Sequence, residues 1–385
     1  MAEVKKNISL MRPLLPDYRY IEPYLKQIDK NRWYSNFGPL VREFETRLSN
    51  FFETEPDTVV TVSNGTAGIT NTLRAMNLPK GNYCVVPSWT FIATPAAALA
   101  SGLIPYFVDV DENSWALDPE KVMEDIKKID GKVSAIIVVA PFGAPIDVKA
   151  WDKFTDDTGI KVIIDGAAAF DSVYSVPSAR PSKTPIVISM HATKVFGIGE
   201  GGIVISTDKA LIKRVQEMSN FGFSASRIVS IPGTNAKMSE YNAAVGLATL
   251  DLWPQTREVW ICLKGYYANA FAGLVHRTNT SLWLSEDWVG STFNIRLPTE
   301  NADEVIAKLV ESGIESRQWW IKGCHLHPAY EKYPKFSLPV TSAFGRSVIG
   351  LPFNKDINKE DVIYIVEKLR EIIPSLQGEM AENQS

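Results

Sequence analysis

A chain of 385 residues, 45% hydrophobic and 22% charged, has the composition of an ordinary folded protein and room for a large domain plus a smaller one. Its 40 basic and 44 acidic residues give a net charge of −4 with no run of either sign, which excludes a basic nucleic-acid-binding tract and a solvating acidic tail. Cys84, Cys262 and Cys324 form no CxxC pair or metal-ligand spacing, no apolar stretch reaches the roughly 18–20 residues of a membrane helix, and the first residues lack a signal peptide's apolar run, so a cytoplasmic protein with reduced thiols and no metal is expected.

In chain order, short β-branched apolar runs predict strands over 59–62, 83–87, 105–110, 135–141, 161–165, 186–191 and 201–206. Between them, segments of helical period predict helices over 66–77, 118–129, 146–158 and 208–219. Asp118-Pro119 reads as an N-cap followed by a first-turn proline. Near-continuous apolar strands alternating with helices predict an α/β fold with a mostly parallel sheet of about seven strands, covered on both faces. The last two strands, joined by a short loop, are expected to pair antiparallel. After a helix over 239–253 the pattern changes to a helix, a strand over 291–297, short elements and a final helix over 359–373. The predicted division is therefore a large cofactor-binding domain, 1–253, and a small α+β domain, 254–385.

Three groups of residues carry chemistry. Ser63-Asn64-Gly65-Thr66 follows a strand and opens a helix, where unpaired N–H groups and the positive dipole end favour a phosphate; a plain capped turn reads equally well. Asp165 ends a buried strand and is followed by small residues. Ligands of open α/β sheets bind beyond such strand ends, and a carboxylate there suits a buried cationic nitrogen. Lys194 lies just past another buried strand, where desolvation favours the neutral, nucleophilic amine, and Ser189 adds a phosphate donor from the same strand end. Gly197, Gly199 and Gly202 formally match the dinucleotide-binding GxGxxG. A strand and not a helix follows them, so they predict a tight hairpin beside the lysine.

With these residues in view, the sequence resembles the DegT/DnrJ/EryC1/StrS sugar aminotransferases, within fold type I of the pyridoxal-phosphate enzymes. The resemblance runs through Gly38-Pro39, Phe44-Glu45, Ser63 to Ala67, Pro87 to Thr94, Phe107 to Asp111, Ser189 to Gly202, Asn235 to Glu240 and Leu351-Pro352. It implies pyridoxal 5′-phosphate held by Lys194 as a Schiff base and Asp165 on the pyridine nitrogen. It also implies Phe91 stacked on the ring in preference to Trp89, with Gly65, Thr66 and Ser189 on the phosphate. Asn235 would reach the phosphate of a neighbouring subunit, so a homodimer with shared active sites is implied.

Two positions depart from the family. Ala168 stands where glutamine or histidine is usual near the ring hydroxyl, and Lys237 replaces an interface arginine, keeping charge but losing the bidentate fork. The activity implied is transfer of an amino group from an amino acid, glutamate, to a nucleotide-linked keto-sugar. The preferred acceptor is a 4-keto-6-deoxyhexose, for amino sugars of surface polysaccharide such as lipopolysaccharide O-antigen. A sugar dehydratase is disfavoured because its cofactor lysine is typically histidine; a non-catalytic regulator that senses cofactor or sugar has less need of Lys194, Asp165 and the phosphate loop together. Arg317, Trp320, His325 and His327 are expected to bind the nucleotide sugar as a segment: the aromatic faces suit sugar or base, and Arg317 suits a pyrophosphate. Residue by residue, a core place for Trp319 and Trp320 and an ordinary loop for the histidines read slightly better.

Overall fold

The computed structural model describes residues 7–224, 228, 229, 231–272 and 288–382, the side chains of 374–382 excepted. Seven strands build one sheet: β1 (Val59–Val62), β2 (Tyr83–Pro87), β3 (Ile104–Val108), β4 (Val133–Val139), β5 (Lys161–Asp165), β6 (Ile186–Ser189) and β7 (Gly202–Ile205). Their order is β1-β7-β6-β5-β4-β2-β3. Neighbours from β6 through β5, β4 and β2 to β3 run parallel, while β7 is antiparallel to both β6 and β1. The predicted sheet and the antiparallel final pair are both present. Ile136, Ile137 and Val138 of β4 are wholly buried, as a strand covered on two faces requires.

The helices connecting the strands are α3 (Gly65–Ala75), α4 (Ala93–Ala100), α5 (Pro119–Ile126), α6 (Val148–Thr158) and α7 (Phe170–Ser175), with α8 (Lys209–Ser219) after β7. Side chains of Asn64, Asp118, Asp147 and Asp208 accept from the third residue onward and so cap α3, α5, α6 and α8. Before the sheet lie α1 (Tyr18–Asn31) and α2 (Pro39–Phe51), which pack on α9 (Glu240–Asp251). The two oxygens of Glu240, a buried residue, accept from Leu40 N and Val41 N at 2.9 Å, capping α2 from a distant part of the chain.

The C-terminal layer consists of α10 (Trp253–Phe271), β8 (Phe293–Arg296), α11 (Ala302–Glu311), α12 (Pro339–Ser347), β9 (Val348–Leu351) and α13 (Lys359–Glu382), with β8 and β9 antiparallel. The last helix continues to Glu382 beyond the predicted end at 373. Asp171 of α7 joins the two layers: it takes Arg257 Nε at 2.7 Å and Val289 N at 2.8 Å. The N-terminal segment belongs with the C-terminal layer. Ile8 bridges Ile314, Leu10 N donates to Glu315 Oε2 at 2.9 Å, and Phe353 N donates to Leu10 O at 3.1 Å. Among the described residues no helix is long and apolar enough to cross a membrane.

Candidate active site

The carboxyl ends of β2, β4, β5 and β6 open into one cavity of about 700 Å³, the position ligands take in sheets of this kind. Of the residues singled out in the sequence, Gly65, Thr66, Phe91, Asp165, Ser189, Lys194 and Trp320 line it. Asp165 ends β5 and is buried; its Oδ2 accepts from Thr94 Oγ1 at 2.7 Å and its Oδ1 from Ala167 N at 3.2 Å. Burial pushes the Asp165 carboxyl up, against those two hydrogen bonds and the Lys194 charge, which pull it down. Burial also pushes the Lys194 ammonium down, opposed by the charge of Asp165. Among the described residues nothing hydrogen-bonds the Lys194 amine, and desolvation outweighs the Asp165 charge, so its ammonium form is held less firmly than in a free lysine.

The anion end of the cavity is made of backbone. Asn64 Oδ1 is engaged by Ala67 N at 2.8 Å, so the first-turn N–H groups of Gly65 and Thr66, residues that line the cavity, have no partner within the helix. A Cβ on Gly65 would stand 3.0 Å from Ser189 Cβ, and one on Gly202 would stand 3.0 Å from Gly65 N. Glycine at both positions keeps the helix start against the strand end. Gly199 has φ +96 in the turn between β6 and β7, so the GxGxxG glycines do form a hairpin, and β7 follows them.

Phe91 is 63% exposed at the cavity, whereas Trp89 is buried against Trp115, Trp320 and Phe344. Phe91, not Trp89, is therefore the ring available to a cofactor. Ala168 lines the cavity with no polar side chain to offer. Nearby, His191 pairs with Thr193 Oγ1 through Nδ1 at 2.8 Å and lies 3.7 Å from Glu200 Oε1 through Nε2.

Four predicted residues lie elsewhere. Asn235 is exposed outside the cavity of this chain and accepts from Lys237 Nζ at 2.8 Å. Arg317 is exposed and lies over the Trp319 ring at 5.2 Å. His325 is buried on Ser88 Oγ at 2.7 Å, and His327 does not line the cavity. The rest of the cavity wall includes Met11, Phe142, Ser291, Thr292, Trp319 and Trp320. Phe142 stacks on Trp320 at 3.9 Å and holds φ +54 just beyond β4. Its position past a strand end was the signal available for it in the sequence; Met11 and Thr292 offer none.

A desolvated amine, an exposed ring beside a buried carboxylate, and a helix start suited to an anion are what pyridoxal phosphate asks of a protein. The class defined by this fold and site is the pyridoxal-phosphate-dependent aminotransferase. More narrowly, the chain belongs to the DegT/DnrJ/EryC1/StrS aminotransferase family, whose pattern spans residues 19–370. It is 29% identical over 374 residues to a dTDP-4-amino-4,6-dideoxy-D-glucose transaminase of Escherichia coli, covering 94% of this chain and 98% of that one. It is 30% identical over 340 residues to a dTDP-3-amino-3,4,6-trideoxy-alpha-D-glucose transaminase of Streptomyces venezuelae, covering 87% of each. The fold matches the crystal structure of DesI in the presence of its TDP-sugar product with a TM-score of 0.87 and 28% identity, covering 99% of this chain and 96% of that one.

Proposed function

We propose that this aminotransferase moves an amino group from glutamate to a keto-sugar carried on a nucleoside diphosphate, a 4-keto-6-deoxyhexose. We further propose that it does so in the cytoplasm as a homodimer with shared active sites, supplying amino sugar for surface polysaccharide. The observation that carries this reading is the cavity's second wall, in which Trp319 and Trp320 of the C-terminal layer face the same space as Lys194. Aromatic faces of that kind suit a sugar. The relatives named above act on dTDP-linked deoxy sugars and support the acceptor class.

When bound, pyridoxal phosphate supplies the electron sink and the carbon that carries nitrogen between the two substrates. Gly65, Thr66 and Ser189 would hold its phosphate, Phe91 its ring face and Asp165 its ring nitrogen. The Asp165 carboxyl, with Thr94 and Ala167 donating to its two oxygens, would in its ionised form keep that nitrogen protonated. Lys194 Nζ, whose ammonium form desolvation disfavours, would take the proton from the donor's α-carbon as general base and hand it on as general acid. A lysine at 194, where dehydratase relatives carry histidine, supports transfer over dehydration.

The test is a panel of nucleotide keto-sugars incubated with glutamate and enzyme, with amine product read by mass spectrometry. A 4-amino-4,6-dideoxy sugar nucleotide is the expected product. Conversion of glutamate to its keto acid with no nucleotide sugar aminated would rule the acceptor class out.

A further inference from the structure

The turn that carries Phe91 is tied to the C-terminal layer from behind the cavity. Ser88, with no exposed surface, and His325, at 7%, share a hydrogen bond of 2.7 Å between Oγ and Nδ1. His325 N also points at Ser88 Oγ at 3.3 Å, Cys324 N donates to Ser88 O at 2.8 Å, and Cys324 Sγ donates to Thr90 O at 3.1 Å. Four contacts thus join residues 88–90 to residues 324 and 325. The approach is close enough to need Gly323, which has φ +94. A Cβ there would stand 2.5 Å from Thr341 Cγ2, 3.1 Å from Ser88 Oγ and 3.2 Å from His325 Nδ1.

Both ends of this tie continue into cavity wall. Thr90 and Phe91 follow Ser88, and Trp320 O accepts from Gly323 N at 3.1 Å. Burial and the Lys335 charge press the His325 imidazole toward its neutral form, against Asp109, so it acts as a hydrogen-bonding group and not as a cation toward a pyrophosphate.

We infer that Ser88 and His325 form a clamp that fixes the Phe91 turn relative to Trp320, so that His325 is a positioning residue for the cofactor face and does not touch the sugar. The inference rests on the placing of the cofactor ring against Phe91. Breaking the Ser88–His325 bond leaves the two Cys324 contacts in place but loosens the turn on its anchor, which loosens the cofactor site and slows whatever chemistry occurs there, with either substrate.

The experiment compares His325→Ala, Ser88→Ala, the double variant and His325→Asn, whose amide nitrogen takes the place of Nδ1. Apoenzyme is titrated with pyridoxal phosphate, the visible circular dichroism of bound cofactor is recorded, and the glutamate and acceptor half-reactions are timed in single turnovers. Each alanine variant is expected to weaken cofactor binding about fivefold to tenfold, the worth of one buried hydrogen bond, and to slow both half-reactions alike. The double variant should be no worse than the worse single, because both remove the same bond between Ser88 Oγ and His325 Nδ1. His325→Asn should restore most of the loss. The clamp is overturned if His325→Ala raises only the Michaelis constant for the nucleotide sugar, or if the two single effects multiply in the double variant. Should His325→Ala not fold, Ser88→Ala decides: cofactor affinity at the wild-type value overturns the clamp. Phe91→Ala separates this from the ring placement. Lost affinity there, with none lost in the clamp variants, overturns the clamp and leaves the ring where it is.

Discussion

Thr94 Oγ1 donates to Asp165 Oδ2 at 2.7 Å, and Thr90 Oγ1 stands 2.8 Å behind Thr94 Oγ1. The carboxylate at the end of β5 is thereby held by one hydroxyl of α4, which a second hydroxyl, beside Phe91, contacts from behind. That hydrogen bond opposes burial, which pushes the Asp165 carboxyl up.

Thr94→Val keeps the shape of the side chain and removes the donor. Asp165 then takes up its proton at a higher pH, and the role proposed for it needs the ionised form. The acid limb of the glutamate half-reaction should move to higher pH, and the rate near neutrality should fall about tenfold, as expected for a hydrogen bond to a charged group. Asp165→Asn should cost far more. A pH–rate profile of the single-turnover reaction reads both; an unmoved acid limb in Thr94→Val would reduce Thr94 to packing.

The phosphate cradle makes a prediction about rank. A Cβ at Gly202 meets backbone atoms, Gly65 N and Ile188 O, both at 3.0 Å, which cannot turn aside. A Cβ at Gly65 meets the Ser189 side chain first, also at 3.0 Å, which can give by a few tenths of an ångström. Gly202→Ala should weaken pyridoxal-phosphate binding more than tenfold by displacing the start of α3, and Gly65→Ala by less. Titration of the two apo variants settles the order. The reverse order would mean that the Gly65 N–H and not the packing of strand on helix sets the cradle.

These positions differ in how far the sequence reveals them. Asp165, Lys194 and Gly65-Thr66 stand at the ends of short apolar runs, and a run of that kind locates both a strand and its carboxyl end. The sheet and its antiparallel last pair were legible for the same reason. Helix α4 was not, because Ala93–Ala100 is apolar on most sides and shows no amphipathic period. Nor was α1, which carries Pro23 and buries only Ile28 fully. His325 beside Trp319-Trp320 reads as a substrate group in one dimension, yet its partner Ser88 lies 237 residues away and draws it behind the wall. Met11 reaches the cavity through pairing of residues 8–10 with the C-terminal layer, a contact between opposite ends of the chain that no local pattern announces.

Glu45 carries a prediction in pH. Its carboxyl is enclosed against β1, where Oε1 accepts from Thr61 N and Thr61 Oγ1, both at 2.8 Å, and burial pushes it up to about 7 despite these bonds. A carboxyl raised in the folded state contributes stability in full below its unfolded value, near 4.5, and loses it as pH rises through about 7. The loss across that window is on the order of 3 kcal/mol at most. Glu45→Gln keeps an acceptor for Thr61 and cannot ionise. Denaturant unfolding at pH 5 and pH 8 should show the wild type losing stability relative to Glu45→Gln as pH rises. Parallel behaviour of the two proteins would show that Glu45 ionises freely in the fold.

The proposed sharing of active sites makes a prediction that a single variant cannot. Lys194 lines the cavity of its own chain, while Asn235 is exposed outside it, with Lys237 Nζ on its Oδ1 at 2.8 Å and over the Phe221 ring at 4.6 Å. If Asn235 completes the partner's site, Lys194→Ala destroys a site through its own chain and Asn235→Ala weakens one through the other. Each homodimer of these variants has two impaired sites. A hybrid dimer has one doubly impaired site and one intact site, the latter using Lys194 from the Asn235→Ala chain and Asn235 from the Lys194→Ala chain. Mixing equal amounts of the two variants, with subunit exchange, should therefore bring about a quarter of all sites back to wild-type turnover, since half of the randomly paired dimers are hybrids. The assay is steady-state turnover after mixing, with each variant alone as the reference and size-exclusion chromatography to establish the dimer. If the mixture only averages its two components, Asn235 serves its own chain or no site at all, and the dimer, where one forms, holds two independent sites.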